Sequence, residues 1–230
     1  MGHNTPMQLP PRTRIKFCGF TREQDVDAAV ACGADAIGFV LYAPSPRAVS
    51  PQRAAQLARR LPPFVTPVLL FVNADDALLQ DAAEAVPHAS WQFHGDESPQ
   101  RCEQAAGPHR AWLRAAHIPL GTGSSFDLLQ FCQQYSRAQA ILLDAKVDGY
   151  GGGGKAFDWS LLTTNVNAPL VLSGGLTPAN VGDGITRLRD RCQSLSVDVS
   201  SGIESAKGIK DADKMRAFVA AVRAADALPV

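Results

Sequence analysis

A cysteine, an aspartate and two runs of small residues, each at the end of an apolar stretch, are the groups in this sequence best suited to chemistry. Cys18 follows Arg14-Ile15-Lys16-Phe17 and precedes Gly19. A thiol at a strand end can act as a general base when its pKa falls toward neutral; the plain alternative is a small buried hydrophobe. Asp144 follows Ile141-Leu142-Leu143. A carboxylate directly after an apolar strand must find a partner or water, because burying it alone is costly. It serves as a general acid if it carries a proton, and otherwise as an acceptor for nearby backbone N–H groups. Two small-residue turns complete the set. Leu170-Val171-Leu172 runs into Ser173-Gly174-Gly175, and Val197-Asp198-Val199 into Ser200-Ser201-Gly202. Backbone without bulky side chains can approach a ligand closely and turn its N–H groups toward an anion. Two consecutive strands ending this way form a shared phosphate cup, as the loops after strands seven and eight of an eight-stranded α/β barrel commonly do.

Three further groups lie at strand ends or in the loops beyond them. Arg47 stands in Ala43-Pro44-Ser45-Pro46-Arg47, a loop stiffened by two prolines, where a planar fork suits carboxylate or phosphate. Gln92 and His94 close the fourth apolar stretch. His94 fits an acid, a ligand or a hydrogen-bonded support. No second histidine or carboxylate at ligand spacing points to a metal, so none is expected. Asp198 reads as a structural hydrogen-bonding group, and the role of Lys16, inside the first strand, stays open.

The elements that must position these groups alternate regularly. Apolar runs at 14–17, 36–41, 65–72, 90–93, 110–115, 140–143, 169–172 and 195–199 read as strands. Between them lie helical patterns, with Thr21 as N-cap of the first, then 50–61, 75–85, 98–106, 126–135 and 178–189. Asp158 caps a short helix before strand seven, a short helical turn follows Gly202, and residues 211–225 form a closing amphipathic helix. Eight continuous apolar strands separated by helices indicate a parallel sheet buried on both faces. The paired cup at the end favours closure, hence an α/β fold built as a single (β/α)8 TIM barrel. Residues 1–13 are expected to be a flexible tail, 14–225 the catalytic barrel and 226–230 a C-terminal tail. The glycines at 149 and 151–154 read as a mobile cover over the site.

Composition narrows the partners. Of 230 residues, 46% are hydrophobic and the formal net charge is zero, which favours neither nucleic acid nor an anionic membrane. No apolar run approaches the length that spans a bilayer. The five cysteines are odd in number and scattered, without metal or disulfide spacing, so a reducing cytoplasm is expected. No large apolar surface stripe stands out, and a monomer is expected.

The ordered motifs resemble those of the phosphoribosylanthranilate isomerase family of tryptophan biosynthesis. They are Lys16-Phe17-Cys18-Gly19-Phe20-Thr21, Gly33-Ala34-Asp35-Ala36-Ile37-Gly38-Phe39, Ser45-Pro46-Arg47 and Gln92-Phe93-His94-Gly95-Asp96-Glu97. Leu143-Asp144, Gly151-Gly152-Gly153-Gly154-Lys155 with Phe157-Asp158-Trp159, Ser173 to Val181, Asp198 to Glu204 and Lys210-Asp211 follow. Phe17 and Phe93 stand where smaller aliphatics are expected, and Gly153 where the family usually has threonine. The resemblance implies a cofactor-free, metal-free Amadori rearrangement of a phosphorylated small molecule, N-(5-phosphoribosyl)anthranilate. It further implies Asp144 as general acid, Cys18 as base, and Arg47, Gln92 and His94 on the substrate. Gly174, Gly175, Ser200, Ser201 and Gly202 would hold the phosphate. Two rivals remain at this point. One is a related phosphoribosyl ketol-isomerase, disfavoured because strand one ends in Cys18 rather than aspartate. The other is a non-catalytic phosphosugar-binding barrel, disfavoured because Cys18 and Asp144 are both present.

Overall fold

Alternation along each strand decides which side chains meet the barrel axis and which meet the helices. The computed structural model describes residues 12–120, 126–145, 159, 162 and 165–228. Its strands are β1 (Arg14–Cys18), β2 (Ala36–Val40), β3 (Thr66–Phe71), β4 (Ser90–Phe93), β5 (Trp112–Ile118), β6 (Ala140–Ala145), β7 (Val166–Leu172) and β8 (Cys192–Val199). They pair in parallel in chain order, and β8 closes on β1 through Lys16 opposite Asp198. The described helices are α1 (Glu23–Ala31), α2 (Pro51–Ala58), α3 (Asp76–Ala85), α4 (Pro99–Ala106), α5 (Leu128–Gln134), α6 (Val181–Leu188) and α7 (Ala212–Asp226). The expected closed (β/α)8 barrel is observed.

Odd-numbered residues of β1 face outward. Ile15 and Phe17 join the main core between sheet and helices, and Phe17 meets Phe218 of α7 edge-on at 5.9 Å. Phe93 is wedged likewise between Trp91 (6.1 Å) and Trp112 (5.9 Å). The two unexpected phenylalanines therefore fill sheet–helix space, where full burial of each contributes about 1.5–3 kcal/mol. Even-numbered residues of β1 face the axis. Cys18 clusters with Val40, Leu70 and Val72, while Ala115, Leu142 and Val171 form the corresponding cluster across β5 to β7.

Ser50, Asp75, Ser98 and Asp127 cap their helices through side-chain oxygens that accept from backbone N–H groups. Thr21 does not. Arg22 occupies the N-cap of α1, and the Thr21 hydroxyl instead donates to Gly208 O at 3.1 Å. Gly208 turns a small antiparallel hairpin, β9 (Glu204–Ala206) with β10 (Ile209–Lys210), that the sequence pattern does not announce. Strands β5, β7 and β8 are longer than expected, β7 starting at Val166 and β8 at Cys192. Helix α6 begins at Val181 rather than Pro178, because Asn180 Oδ1 accepts from Thr177 N (2.7 Å) and holds a turn there. Helix α7 runs through Asp226, whose carboxylate accepts from Thr13 N (3.0 Å) and Thr13 Oγ1 (2.6 Å). Thr13, just before β1, is thus tied to the last residue of α7. The glycine cover at 149 and 151–154, the cap at Asp158 and the loop 121–125 lie outside the described residues.

Candidate active site

The alternation that turns Cys18 inward also turns Lys16, Gln92, His94, His117, Asp144, Ser173 and Asp198 toward the axis. Lys16, Gln92, His94, Asp144, Ser173 and Asp198 are buried, and Cys18 retains only 4% of its surface. Cys18, His94, Asp144 and Ser173 stand at or beside the C-terminal ends of their strands, the end of the barrel where its chemistry is placed. Gly38 sits opposite Cys18 on β2. A Cβ there would come within 2.7 Å of the Cys18 sulfur, so the missing side chain makes room for the thiol.

Asp144 is held from two sides. Its Oδ1 accepts from Ala145 N at 3.0 Å, and its Oδ2 lies 3.0 Å from His94 Nε2. His94 Nδ1 lies 2.9 Å from Gln92 Nε2, and the amide N–H donating there leaves Nε2 as the donor to Asp144. Gln92 and His94 thus form a chain ending on Asp144. Gln92 is fully buried, and its Oε1 has no hydrogen-bond partner. The loop after β4 owes its shape to Glu97, which accepts from Asn73 N (2.7 Å), Gly95 N (2.9 Å) and Arg114 Nη1 (3.3 Å).

On the opposite side, Lys16 Nζ donates to Asp198 Oδ1 at 2.8 Å, and Ser173 Oγ donates to Asp198 Oδ2 at 3.3 Å. Burial pushes the Cys18 thiol above its ordinary value of 9.0, Lys16 and Lys210 pull it down, and Asp198 adds to the rise. Burial opposes the Lys16 ammonium, but Asp198 and Cys18 outweigh it and hold its pKa above the ordinary value. Arg47 is buried and gives Nε and Nη2 to Glu204 at 2.7 and 2.8 Å. Lys210 Nζ reaches the same carboxylate at 2.8 Å and Ser200 O at 3.1 Å. Burial raises Glu204, yet Arg47 and Lys210 together bring its pKa below the ordinary value. Nη1 is the one guanidinium nitrogen of Arg47 that Glu204 leaves unused.

The two small-residue turns meet above β7 and β8. Gly174 and Gly175 have φ of +75° and +65°, a conformation glycine adopts without Cβ strain. A Cβ on Gly202 would lie 1.9 Å from Leu176 O, so the turns are in backbone contact. Ser200 Oγ donates to Cys18 O at 3.0 Å, tying the second turn to the strand of the thiol. Ser201 opens a short 3-10 turn, Ser201–Ile203.

A profile of the N-(5'-phosphoribosyl)anthranilate (PRA) isomerase family matches residues 15–221. The chain belongs to the phosphoribosylanthranilate isomerase family. The N-(5'-phosphoribosyl)anthranilate isomerase of Methylibium petroleiphilum is 62% identical over 216 residues, covering 94% of this chain and 96% of its own. The crystal structure of phosphoribosyl anthranilate isomerase from Thermotoga maritima superposes with TM-score 0.79 at 37% identity, covering 92% of this chain and 99% of that one. A further crystal structure shows phosphoribosyl anthranilate isomerase in complex with reduced 1-(o-carboxyphenylamino)-1-deoxyribulose 5-phosphate. It is 33% identical with TM-score 0.73, again over 92% and 99% of the two chains.

Three groups in this isomerase-family site go beyond those the sequence points to. His117 falls past the expected end of its strand, yet it lies on β5 opposite Asp144, with its ring 5.2 Å from that of His94. Continuing the period of two from Leu113 and Ala115 finds it. His94, His117 and Asp144 bring one ligand-type atom each within 4.8 Å of one another. His94 Nε2 and Asp144 already bond each other, and His117 Nε2 bonds His94 O at 3.1 Å. Glu204 and Lys210 come from the hairpin, and no local pattern announces their pairing with Arg47. Among the described residues, no helix is long and apolar enough to cross a membrane.

Proposed function

We propose that Cys18 and Asp144 act as base and acid in this family's Amadori rearrangement of N-(5'-phosphoribosyl)anthranilate, a step of tryptophan biosynthesis. Asp144 gives its proton to the ribose ring oxygen as the C1–O bond opens and the nitrogen lone pair forms the C1=N bond. The Cys18 thiolate takes the C2 proton. The C–H electron pair becomes C1=C2, and the pair of the C=N bond returns to nitrogen. The resulting enolamine tautomerises to 1-(2-carboxyphenylamino)-1-deoxyribulose 5-phosphate. C2 is oxidised to the ketone as C1 is reduced to the amine level within one molecule, so the scheme calls on no external oxidant, reductant or cofactor. General acid and base steps of this kind typically contribute ~10²–10⁴-fold each.

The observation that carries the reading is the order of strands around the mouth. Asp144 on β6 is followed by the two small-residue turns after β7 and β8, and then by Cys18 on β1. A phosphate anchored at Gly174, Gly175, Ser200, Ser201 and Gly202 would lie between acid and base, leaving the sugar to extend across both. Such anchoring can supply roughly 7–11 kcal/mol of the barrier in favourable cases. The chain Gln92–His94 is proposed to orient Asp144 and to offer Gln92 Oε1 to the substrate. Glu204 is proposed to aim Arg47 so that Nη1 meets the anthranilate carboxylate. A cytoplasmic monomer is the proposed working form. Its support is that, among the described residues, the large exposed apolar ones, Phe64, Leu120, Leu129, Ile209 and Leu228, lie on separate segments of the chain.

Turnover of freshly generated substrate, followed by loss of its anthranilate-type fluorescence, tests the assignment. Wild type should turn over rapidly, while Cys18→Ala and Asp144→Asn should each lose orders of magnitude in kcat and still bind a product analogue. Near-normal kcat in either variant would remove that residue from its role.

A further inference from the structure

Lys16 takes no part in the scheme above, although it lies buried beside the proposed base. Residues two apart on a strand point to the same side, so Lys16 and Cys18 share the axial face of β1. The ammonium is fixed rather than loose, because Asp198 holds Nζ at 2.8 Å and Ser173 in turn holds Asp198 at 3.3 Å. Only 7% of each of the Lys16 and Asp198 side chains reaches solvent.

The charges near the thiol come from several elements. Lys16 lies on β1, Asp198 on β8, Lys210 on β10 and Arg47 in the loop after β2, with Glu204 of β9 between the last two. Val40, Leu70 and Val72 close the apolar side. Among these buried groups three cations face two carboxylates, so the cluster becomes neutral when Cys18 loses its proton. A buried unbalanced charge is costly, and the surplus therefore favours the thiolate.

We infer that Lys16 is a positioning residue for the isomerase reaction, its ammonium stabilising, against the cost of burial, the Cys18 thiolate that takes the C2 proton. This rests on Cys18 as the base, but its effect on the thiol can be read without turnover. The plain alternative is a structural ion pair in which Lys16 serves only to neutralise Asp198.

The two readings differ in sign. A structural pair is damaged in the same way from either end. A thiolate partner is not, since removing Lys16 leaves Asp198 against the thiol, whereas removing Asp198 leaves the ammonium to Cys18 alone. The pH dependence of Cys18 alkylation by iodoacetamide separates them, followed by mass analysis of the Cys18 peptide so that the other four cysteines do not interfere. The pH profile of kcat/KM is measured in parallel. Lys16→Met should move both rising limbs to higher pH. For each whole pH step the limb climbs, the thiolate fraction at a fixed lower pH falls about tenfold. Asp198→Asn should move both limbs down, and Lys16→Arg should restore most of the wild-type position. If Lys16→Met folds poorly, Lys16→Met/Asp198→Asn removes the pair with no net change of charge, and its alkylation limb should still lie above wild type. An unmoved limb in Lys16→Met and in the double variant, or an upward movement in Asp198→Asn, would overturn the inference. Cys18→Ala with normal turnover would instead sink the base assignment, and the alkylation limbs would still report on Lys16.

Discussion

Replacing Gly202 by alanine tests whether the two turns work as one rigid cup. The added Cβ would stand 1.9 Å from Leu176 O, 3.0 Å from Leu176 C and 3.2 Å from Thr177 Cα. A carbon–oxygen contact normally settles near 3.3–3.6 Å, so the turns must part by about 1.5 Å. Neither is free to yield. The first is held by Ser173 N on Leu143 O (2.9 Å), and the second by Ser200 Oγ on Cys18 O (3.0 Å) and Lys210 Nζ on Ser200 O (3.1 Å). Overpacking of this kind costs about 1–3 kcal/mol of stability, and a misplacement near 1 Å costs on the order of 10²-fold in rate. In barrier terms the latter is about 2.7 kcal/mol. Steady-state kinetics, inhibition by inorganic phosphate and thermal unfolding read the three consequences. Gly202→Ala should raise KM and the phosphate inhibition constant together, lower kcat/KM by about 100-fold and lower the melting temperature by about 2–4 °C per kcal/mol lost. Gly182 on α6 is the control, since its added Cβ would meet nothing closer than 3.8 Å. Gly182→Ala should leave kinetics unchanged and gain up to about 1 kcal/mol from helix propensity. Wild-type KM and wild-type phosphate inhibition in Gly202→Ala would refute the shared cup.

Three further outcomes are expected. Gly38→Ala drives a methyl group to 2.7 Å from the Cys18 sulfur and should lower kcat by about 10²-fold with phosphate inhibition intact, as steady-state kinetics would show. His94→Gln should lower kcat by about 10–100-fold with little change in KM, because it loosens the hold on Asp144. Glu204 has a folded pKa below its ordinary 4.5, so its contribution to stability is present above that value and is lost as pH falls through the folded pKa. Glu204→Gln should therefore be less stable than wild type by about 3 kcal/mol at neutral pH, and denaturant titrations should show the gap closing in acid.

The barrel is legible because strands buried on both faces appear as apolar runs, and because Ser173-Gly174-Gly175 and Ser200-Ser201-Gly202 are small for a local reason. Cys18 and Asp144 can be picked out because each ends such a run. His117 escapes when β5 is cut at Ala115, although the alternation continues two residues further. The pairing of Arg47 with Glu204 is not legible, since ion pairs between residues 157 positions apart leave no local pattern. Thr21 shows a competition of the same kind. Its type suits a cap, but Gly208 O, brought beside it by a hairpin far along the chain, takes the hydroxyl. Lys16 is visible as an oddity inside an apolar strand, and only its register with Asp198 gives it a partner.

The clasp between Thr13 and Asp226, reinforced by Arg223 Nη1 on Thr13 O at 2.8 Å, has a consequence for how the chain can be rewired. It lies below the first strand, on the face away from the mouth, where the helix-to-strand connections among the described residues also run. Positions 13 and 226 can therefore be spliced through a short linker, and the ring reopened at another connection on that face, such as Gly107-Pro108 between α4 and β5. Every strand-to-helix loop then stays whole. Such a circular permutant should keep its turnover, and a cargo domain attached at the clasp would hang clear of the substrate's path.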